Sequence, residues 1–431
     1  MTYPQTLDYL FSRLPMFHRI GAAAYKANLD NTYKITELLG NPHKKLKCIH
    51  VAGTNGKGSS SHMLAAILQQ AGYKTGLYTS PHMVDFRERI KINGQLIPKK
   101  EVIDFVEKYK TDFEIIEPSF FEWTVGLAFD YFANQEVDVA VIEVGLGGRL
   151  DSTNIITPVI SLITNIGYDH MNLLGDTLQK IATEKAGIIK SRIPVVVSQQ
   201  QSDIYPIFNA RAQELKSPIE YADKRFKVIN HKHTDKYLEC EILDKKTNET
   251  STYQLDLTGT YQLKNVLGVL NCIEVLIDVG FIIEKSTVKK ALSHVVKLTK
   301  LLGRWQTISE KPLIIADTGH NEDGISQITE NLKRYTYKQL HFVFGAVNDK
   351  EIDKILNLLP TDAIYYFVRA SVPRALPSDE LQKKAEAYNL NGLHFKDVES
   401  GLNAAKKVCK KDDLIFVGGS TFVVGDLLTS V

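Results

Sequence analysis

The chain has 431 residues, 44% of them hydrophobic and 24% charged, which is enough apolar length for two or three buried cores and excludes a disordered chain. Lys+Arg total 52 against 50 Asp+Glu, a formal charge of +2, so a strongly basic nucleic-acid surface is not its organising feature. Cys48, Cys240, Cys272 and Cys409 form no C-x-x-C pair and read as core thiols in a reducing compartment. Without a basic-then-apolar leader or a run of about twenty apolar residues, no membrane span is expected and the cytoplasm is the expected location.

Taken in chain order, apolar strand candidates at 47–53, 75–79, 137–145, 159–166 and 194–198 alternate with helical patterns near 59–71, 120–134, 178–190 and 205–216. That alternation predicts a mostly parallel sheet covered on both faces. Between 88 and 98 the text changes to ERIKINGQLIP, where Asn93-Gly94 suits a two-residue hairpin turn and a small antiparallel insertion. Residues 225–258 again alternate apolar and polar as hairpins, before helices resume at 261–279 and 286–294. A second series of strands at 313–317, 341–346, 364–369 and 414–418 predicts a separate C-terminal α/β domain. The boundary falls at 298–304, dividing 1–298 from 299–431, with no Pro/Gly/Ser-rich tether.

The first chemical signal is KCIHVAGTNGKGS at 47–59, an apolar run that ends in a glycine-rich turn and opens into a helix. Gly53, Gly56 and Gly58 allow backbone N–H groups to approach an anion, the helix N-terminus adds partial positive charge, and Lys57 supplies a full one. Two residues rather than the usual four separate Gly53 from the Gly56-Lys57 pair, and the hydroxyl comes one place late, at Ser59. A plain glycine turn before a helix is the competing reading.

Further polar residues recur where apolar runs end, the edge at which α/β sheets collect ligands. Glu143 in EVGLGGRLDSTN suits a magnesium ion opposite bound phosphates, or a turn cap. His170 follows VISLITNIG and suits a metal or a structural contact, and Ser80 in YTSPH is a third donor. Lys185 in LQKIATEKAGIIK reads by itself as a solvated helix lysine; burial near a metal would lower its pKa. In the C-terminal half, Asp317 ends a strand and His320 precedes a helix in IIADTGHNEDG, either for ligand contact or as an ordinary strand-to-helix turn. Arg304 in LLGRWQ suits a phosphate or a surface pair.

The ordered set IHVAGTNGKGS, LYTSPH with ERI, FFEWT, VIEVGLGGRLDSTN, DHMNLLGDT, EKAGIIK, Gln262 and Asn265 of GTYQLKN, the Arg304 segment and DTGHN resembles the folylpolyglutamate synthase and dihydrofolate synthase family, within the Mur-type ligases. The resemblance implies an α/β chain with an N-terminal P-loop ATPase domain of mostly parallel sheet plus a small antiparallel sheet. It also implies a C-terminal Rossmann-like α/β domain, with ATP in the cleft between the two. It implies that Gly53, Thr54, Asn55, Gly56, Lys57, Gly58 and Ser59 hold phosphates, and that Ser80, Glu143 and His170 serve Mg2+. Lys185 matches a position that is carbamylated to become a further metal ligand.

Asn265, Arg304 and Asp317 match nucleotide-contacting positions, His320 lies near the reacting groups, and Phe121 and Glu122 match the lining of the pterin pocket. DTGHN departs from the DGAHN of most relatives, which puts the geometry of that turn in question. The implied reaction activates a folate or dihydropteroate carboxylate as an acyl phosphate for attack by L-glutamate, catalysed by a monomer with small-molecule partners only. A ligase for another carboxylate, a P-loop ATPase and a nucleotide-dependent binding module are the alternatives.

Overall fold

The computed structural model describes residues 1–16, 28–234, 236–348 and 352–430, which divide into two compact units. One comprises most of residues 1–301; the other contains Met83–Asp85 and Leu302–Val431.

The first unit is built on eight strands: β1 (Cys48–Ala52), β2 (Thr75–Tyr78), β3 (Ile90–Ile92), β4 (Gln95–Leu96), β5 (Val139–Glu143), β6 (Ile160–Ile163), β7 (Val195–Val197) and β8 (Ile219–Tyr221). Their order is β4-β3-β2-β5-β1-β6-β7-β8, with β3 and β4 antiparallel at one edge and the rest parallel. β1 and β5 are buried along their whole length, as expected for central strands covered on both faces. The helix Lys57–Gln70 is buried from Ser59 to Leu68, so its sequence is apolar or small all round rather than on one stripe. Ile49, Val51, Met63, Leu77, Val141 and Leu162 share its core.

Three further strands, β9 (Phe226–His233), β10 (Leu238–Asp244) and β11 (Glu249–Leu255), make a separate antiparallel sheet in the order β11-β10-β9. Leu238, Cys240, Ile242, Tyr253 and Leu255 point into the same core as the helix Gln262–Asp278, and the alternate residues, Glu239, Glu241, Thr252 and Gln254 among them, are polar. The antiparallel hairpin expected at 88–98 is present: β3 and β4 pair across Asn93-Gly94, and β3 joins the edge of the main sheet by pairing antiparallel with β2. One sequence expectation is corrected. The helix expected over 178–190 stops at Ala186, where Gly187 closes against the backbone of Arg149.

The second unit has strands β12 (Gln306–Glu310), β13 (Leu313–Asp317), β14 (Leu340–Phe344), β15 (Ile364–Val368), β16 (Gly392–Phe395) and β17 (Leu414–Gly418), ordered β12-β13-β17-β14-β15-β16. All are parallel except β12, which runs antiparallel to β13. Phe342, Phe344 and Phe416 fill one face; Val343, Ile415 and Val417 fill the other. Among the described residues, no helix is long and apolar enough to cross a membrane.

Candidate functional site

Strand order decides which residues meet. β1 lies between β5 and β6, and register pairs Val51 with both Glu143 and Leu162. The glycine loop after β1, Glu143 at the end of β5 and the polar segment after β6 therefore emerge side by side at the carboxyl edge. Tyr78 pairs with Ile142, which brings Ser80 to the same place, and the Ser80 N–H donates to Glu143 Oε2 at 3.1 Å.

The loop is held from several sides. Gly53 has φ +146°, and a Cβ there would lie 1.8 Å from Thr164 Oγ1; Gly56 has φ +86°, and a Cβ there would lie 2.3 Å from Asn265 Oδ1. Both glycines are thus required by conformation and by close approach. Thr164 Oγ1 donates to Asn55 O at 2.6 Å, and Asn55 N donates to Asn165 Oδ1 at 2.8 Å. Thr54 Oγ1 accepts from Gly167 N at 3.0 Å. Gly56 caps the helix, so Lys57 and Gly58 are its first two residues and their N–H groups are among those the helix cannot satisfy itself. On the far side, Gln262 Nε2 donates to the buried Ser59 Oγ at 3.1 Å, while Asn265 Nδ2 donates to Gln262 Oε1 at 2.8 Å.

Two amines converge on this loop. Lys57 Nζ donates to Gly53 O and Thr54 O, each at 3.0 Å. Lys185 Nζ donates to Gly53 O at 2.8 Å and is only 4% exposed, so the solvated-lysine reading fails. Burial, with the Lys57 charge adding to it, lowers the Lys185 pKa to about 7 against a partial pull upward from Asp169, Asp151 and Glu184. His170 sits in the loop after β6 with φ +51°, its Nε2 3.9 Å from Asp169 Oδ1.

Phe121 and Glu122 lie in the first turn of the helix Phe120–Asn134, and their surroundings differ. The Phe121 ring covers Gly145, where a Cβ would lie 2.4 Å from it, and lies 6.2 Å from the Tyr78 ring. Glu122 is buried and completes a capping box: Ser119 N donates to Glu122 Oε2 at 2.6 Å, and Glu122 N donates to Ser119 Oγ at 3.3 Å. The carboxylate thereby fixes the helix start that presents Phe121.

In the second unit, Asp317 organises a turn at the end of β13. Its carboxylate accepts from Trp305 N and from Gly319 N, each at 2.8 Å. Arg304 Nη1 donates to Thr318 Oγ1 and, at 3.2 Å, to Gly303 O. His320 Nδ1 donates to Thr318 O at 2.9 Å, which fixes the ring tautomer. The DTGHN variation is accommodated: Gly319 packs where a Cβ would be 2.8 Å from Ile328 Cδ1, Thr318 receives Arg304, and Asn321 caps the next helix through Gly324 N at 2.9 Å.

Sequence reasoning missed Thr164, Asn165 and Gly167, although a polar TNIG directly after an apolar strand carried the same strand-end signal as Glu143. It also passed over Arg89 of the ERI segment, which is buried, donates from Nε to His82 Nδ1 at 2.8 Å and lies 5.1 Å from the Phe120 ring centroid.

Comparison with known proteins gives a consistent picture. The Mur ligase middle domain matches residues 51–273, and the Mur ligase glutamate ligase domain matches residues 303–421. The chain is 32% identical over 417 residues to a dihydrofolate synthase/folylpolyglutamate synthase of Bacillus subtilis, covering 93% of this chain and 94% of that one. It is also 32% identical to a folylpolyglutamate synthase of Lacticaseibacillus casei, with 88% of each covered. Among solved structures, E. coli FolC in complex with DHPP and ADP superposes with a TM-score of 0.86 at 27% identity, covering 100% and 97% of the two chains. The Mycobacterium tuberculosis folylpolyglutamate synthase complexed with ADP gives 0.89 at 25%, covering 99% and 98%.

Proposed function

The chain belongs to the folylpolyglutamate synthase and dihydrofolate synthase family of the Mur ligases, and from that premise we propose that it joins L-glutamate to the carboxylate of a folate or dihydropteroate at the expense of ATP. The observation that carries this reading is the glycine loop with Lys57 and Lys185 both bonded to it, held so closely by Thr164 and Asn265 that neither Gly53 nor Gly56 leaves room for a methyl group.

A carboxylate is a poor electrophile because its charge repels nucleophiles. Transfer of the γ-phosphoryl group to it makes an acyl phosphate, and the neutral amine of glutamate then attacks that carbonyl and expels inorganic phosphate. The chain's part is to hold the phosphates against the loop N–H groups and Lys57, where charge spreads in the transition state. Asn265 braces that loop through Gly56. The partly exposed Phe121 ring, backed by the buried Tyr78, offers an aromatic face suited to a pterin, which favours this acceptor over the carboxylates of other Mur-type ligases.

The oxygen donors of Ser80 and Glu143, brought together by a backbone hydrogen bond, fit a hard divalent cation, and His170 is the proposed nitrogen donor. Mg2+ held there would neutralise phosphate charge. Burial, which lowers the Lys185 pKa to about 7, favours the neutral amine that adds CO2; with its proton lost to solvent, the product would be a carbamate, an anionic oxygen ligand. Arg304, Asp317 and His320 are the proposed nucleotide and reacting-group contacts of the second unit.

The test is ADP release by purified protein with Mg2+ and glutamate, supplying dihydropteroate or tetrahydrofolate separately and weighing the products. Products one glutamate heavier from both acceptors would establish two activities. Release of ADP indifferent to acceptor and glutamate would reject the ligase in favour of an ATPase.

A further inference from the structure

The carboxyl edge of the second sheet bears Asp317; the opposite edge, where the parallel strands begin, bears a different cluster. His341 is the second residue of β14, Asp413 immediately precedes β17, and Cys409 ends the helix Val398–Val408. Their ligating atoms all lie within 4.8 Å of one another, with His341 Nε2 3.5 Å from Asp413 Oδ2. We propose that these three side chains form a zinc site that clips the 409–413 loop to β14, remote from the ligase chemistry.

The donor set selects the metal. Thiolate, imidazole and one carboxylate suit Zn2+, whereas Mg2+ prefers oxygen alone. Tetrahedral zinc places neighbouring donors about 3.5 Å apart. The histidine and aspartate already have that separation, and the thiol, which donates to Lys410 O at 3.5 Å, lies within 4.8 Å of both. Water takes the fourth position, and the partly exposed Cys409 marks the way in.

The surroundings are built for ligation. Tyr366 Oη lies 3.0 Å from His341 Nδ1, so it orients the ring by the nitrogen that does not face Asp413, the outer-shell partner a metal-bound histidine needs. The loop is fixed before any ion arrives: Lys410 N donates to Asp413 Oδ2 at 2.7 Å, Lys338 N to Asp412 O at 2.8 Å and Leu414 N to Gln339 O at 3.0 Å. His341 and Asp413 are 2% and 7% exposed, so an ion there would be shielded from water on the strand side. Binding displaces the thiol proton to solvent and forms the zinc–sulfur bond, so affinity rises with pH.

The test uses the full chain stripped of metal by a chelator and titrated with Co2+. A sulfur-to-cobalt charge-transfer band that saturates at one equivalent and is abolished by Zn2+ is expected. Cys48, Cys240 and Cys272 are buried elsewhere, so the band reports Cys409. Cys409→Ser should lose the band while its metal-free melting temperature and its ligase turnover with Mg2+ match the wild type. Tyr366→Phe should keep the band and weaken affinity about tenfold or more. No band at one equivalent, or a band that survives Cys409→Ser, would overturn the site and leave only a buried His–Asp pair.

Discussion

Replacing Gly56 by alanine would put a methyl group 2.3 Å from Asn265 Oδ1 on a residue whose φ is +86°. The left-handed backbone costs an L-residue about 1–2 kcal/mol. Relieving the overlap requires the Asn265 amide to move, and its 2.8 Å bond to Gln262 Oε1, worth about 1 kcal/mol, is lost. The total, about 2–3 kcal/mol, should lower the melting temperature by about 5 °C for a unit of this size. The KM for ATP should rise as well, because the displaced loop carries Lys57. Thermal unfolding and initial rates against ATP measure both effects. In an Asn265→Ala background the overlap is gone, so Gly56→Ala should cost only the backbone part, a coupling of about 1 kcal/mol. Strict additivity in that cycle, or a Gly56→Ala protein indistinguishable from wild type, would refute the account of the cradle.

Lys57→Ala should abolish ATP-dependent amide formation while unfolding as cooperatively as the wild type; unchanged turnover would remove the loop from the mechanism. Ser119→Ala should cost about 1 kcal/mol of stability, since it opens the capping box and leaves Glu122 holding one bond fewer, and chemical denaturation would read it. Lys91 is buried with Nζ donating to Thr299 O at 3.0 Å, and burial lowers its pKa from 10.5 to about 8. Between those values the unfolded chain binds a proton that the folded chain does not, so this group makes stability rise with pH from about 8 to 10.5. Lys91→Met should flatten that part of the stability profile relative to the wild type, and an identical slope would exclude Lys91 as its source.

Much of this molecule was legible in the chain. The alternation of apolar runs with helical patterns marked β1, β5, β13 and β17, because a strand covered on both faces must be apolar throughout. The tight turn at 53–56 was legible because only glycine tolerates the backbone of Gly53 and Gly56, and its proposed role as a phosphate cradle rests on the cation at Lys57 that follows it. Short edge strands such as β8, β12 and β16 escaped, since three to five partly exposed residues leave no periodic trace.

What the tertiary structure decided was proximity and environment. The order β2-β5-β1-β6 brings Ser80, Glu143, Lys57 and Thr164 to one edge, and no local pattern encodes strand order, which follows from long-range packing. Lys185 reads as a solvated helix lysine until the loop after β1 closes over it, because desolvation comes from residues distant in sequence. The same holds for His341, Cys409 and Asp413, separated along the chain and gathered only because β14 and β17 begin side by side. Sequence by itself determined the chemistry each residue can offer; the fold determined which of those chemistries meet, since a contact between remote segments exists only once the core between them is packed.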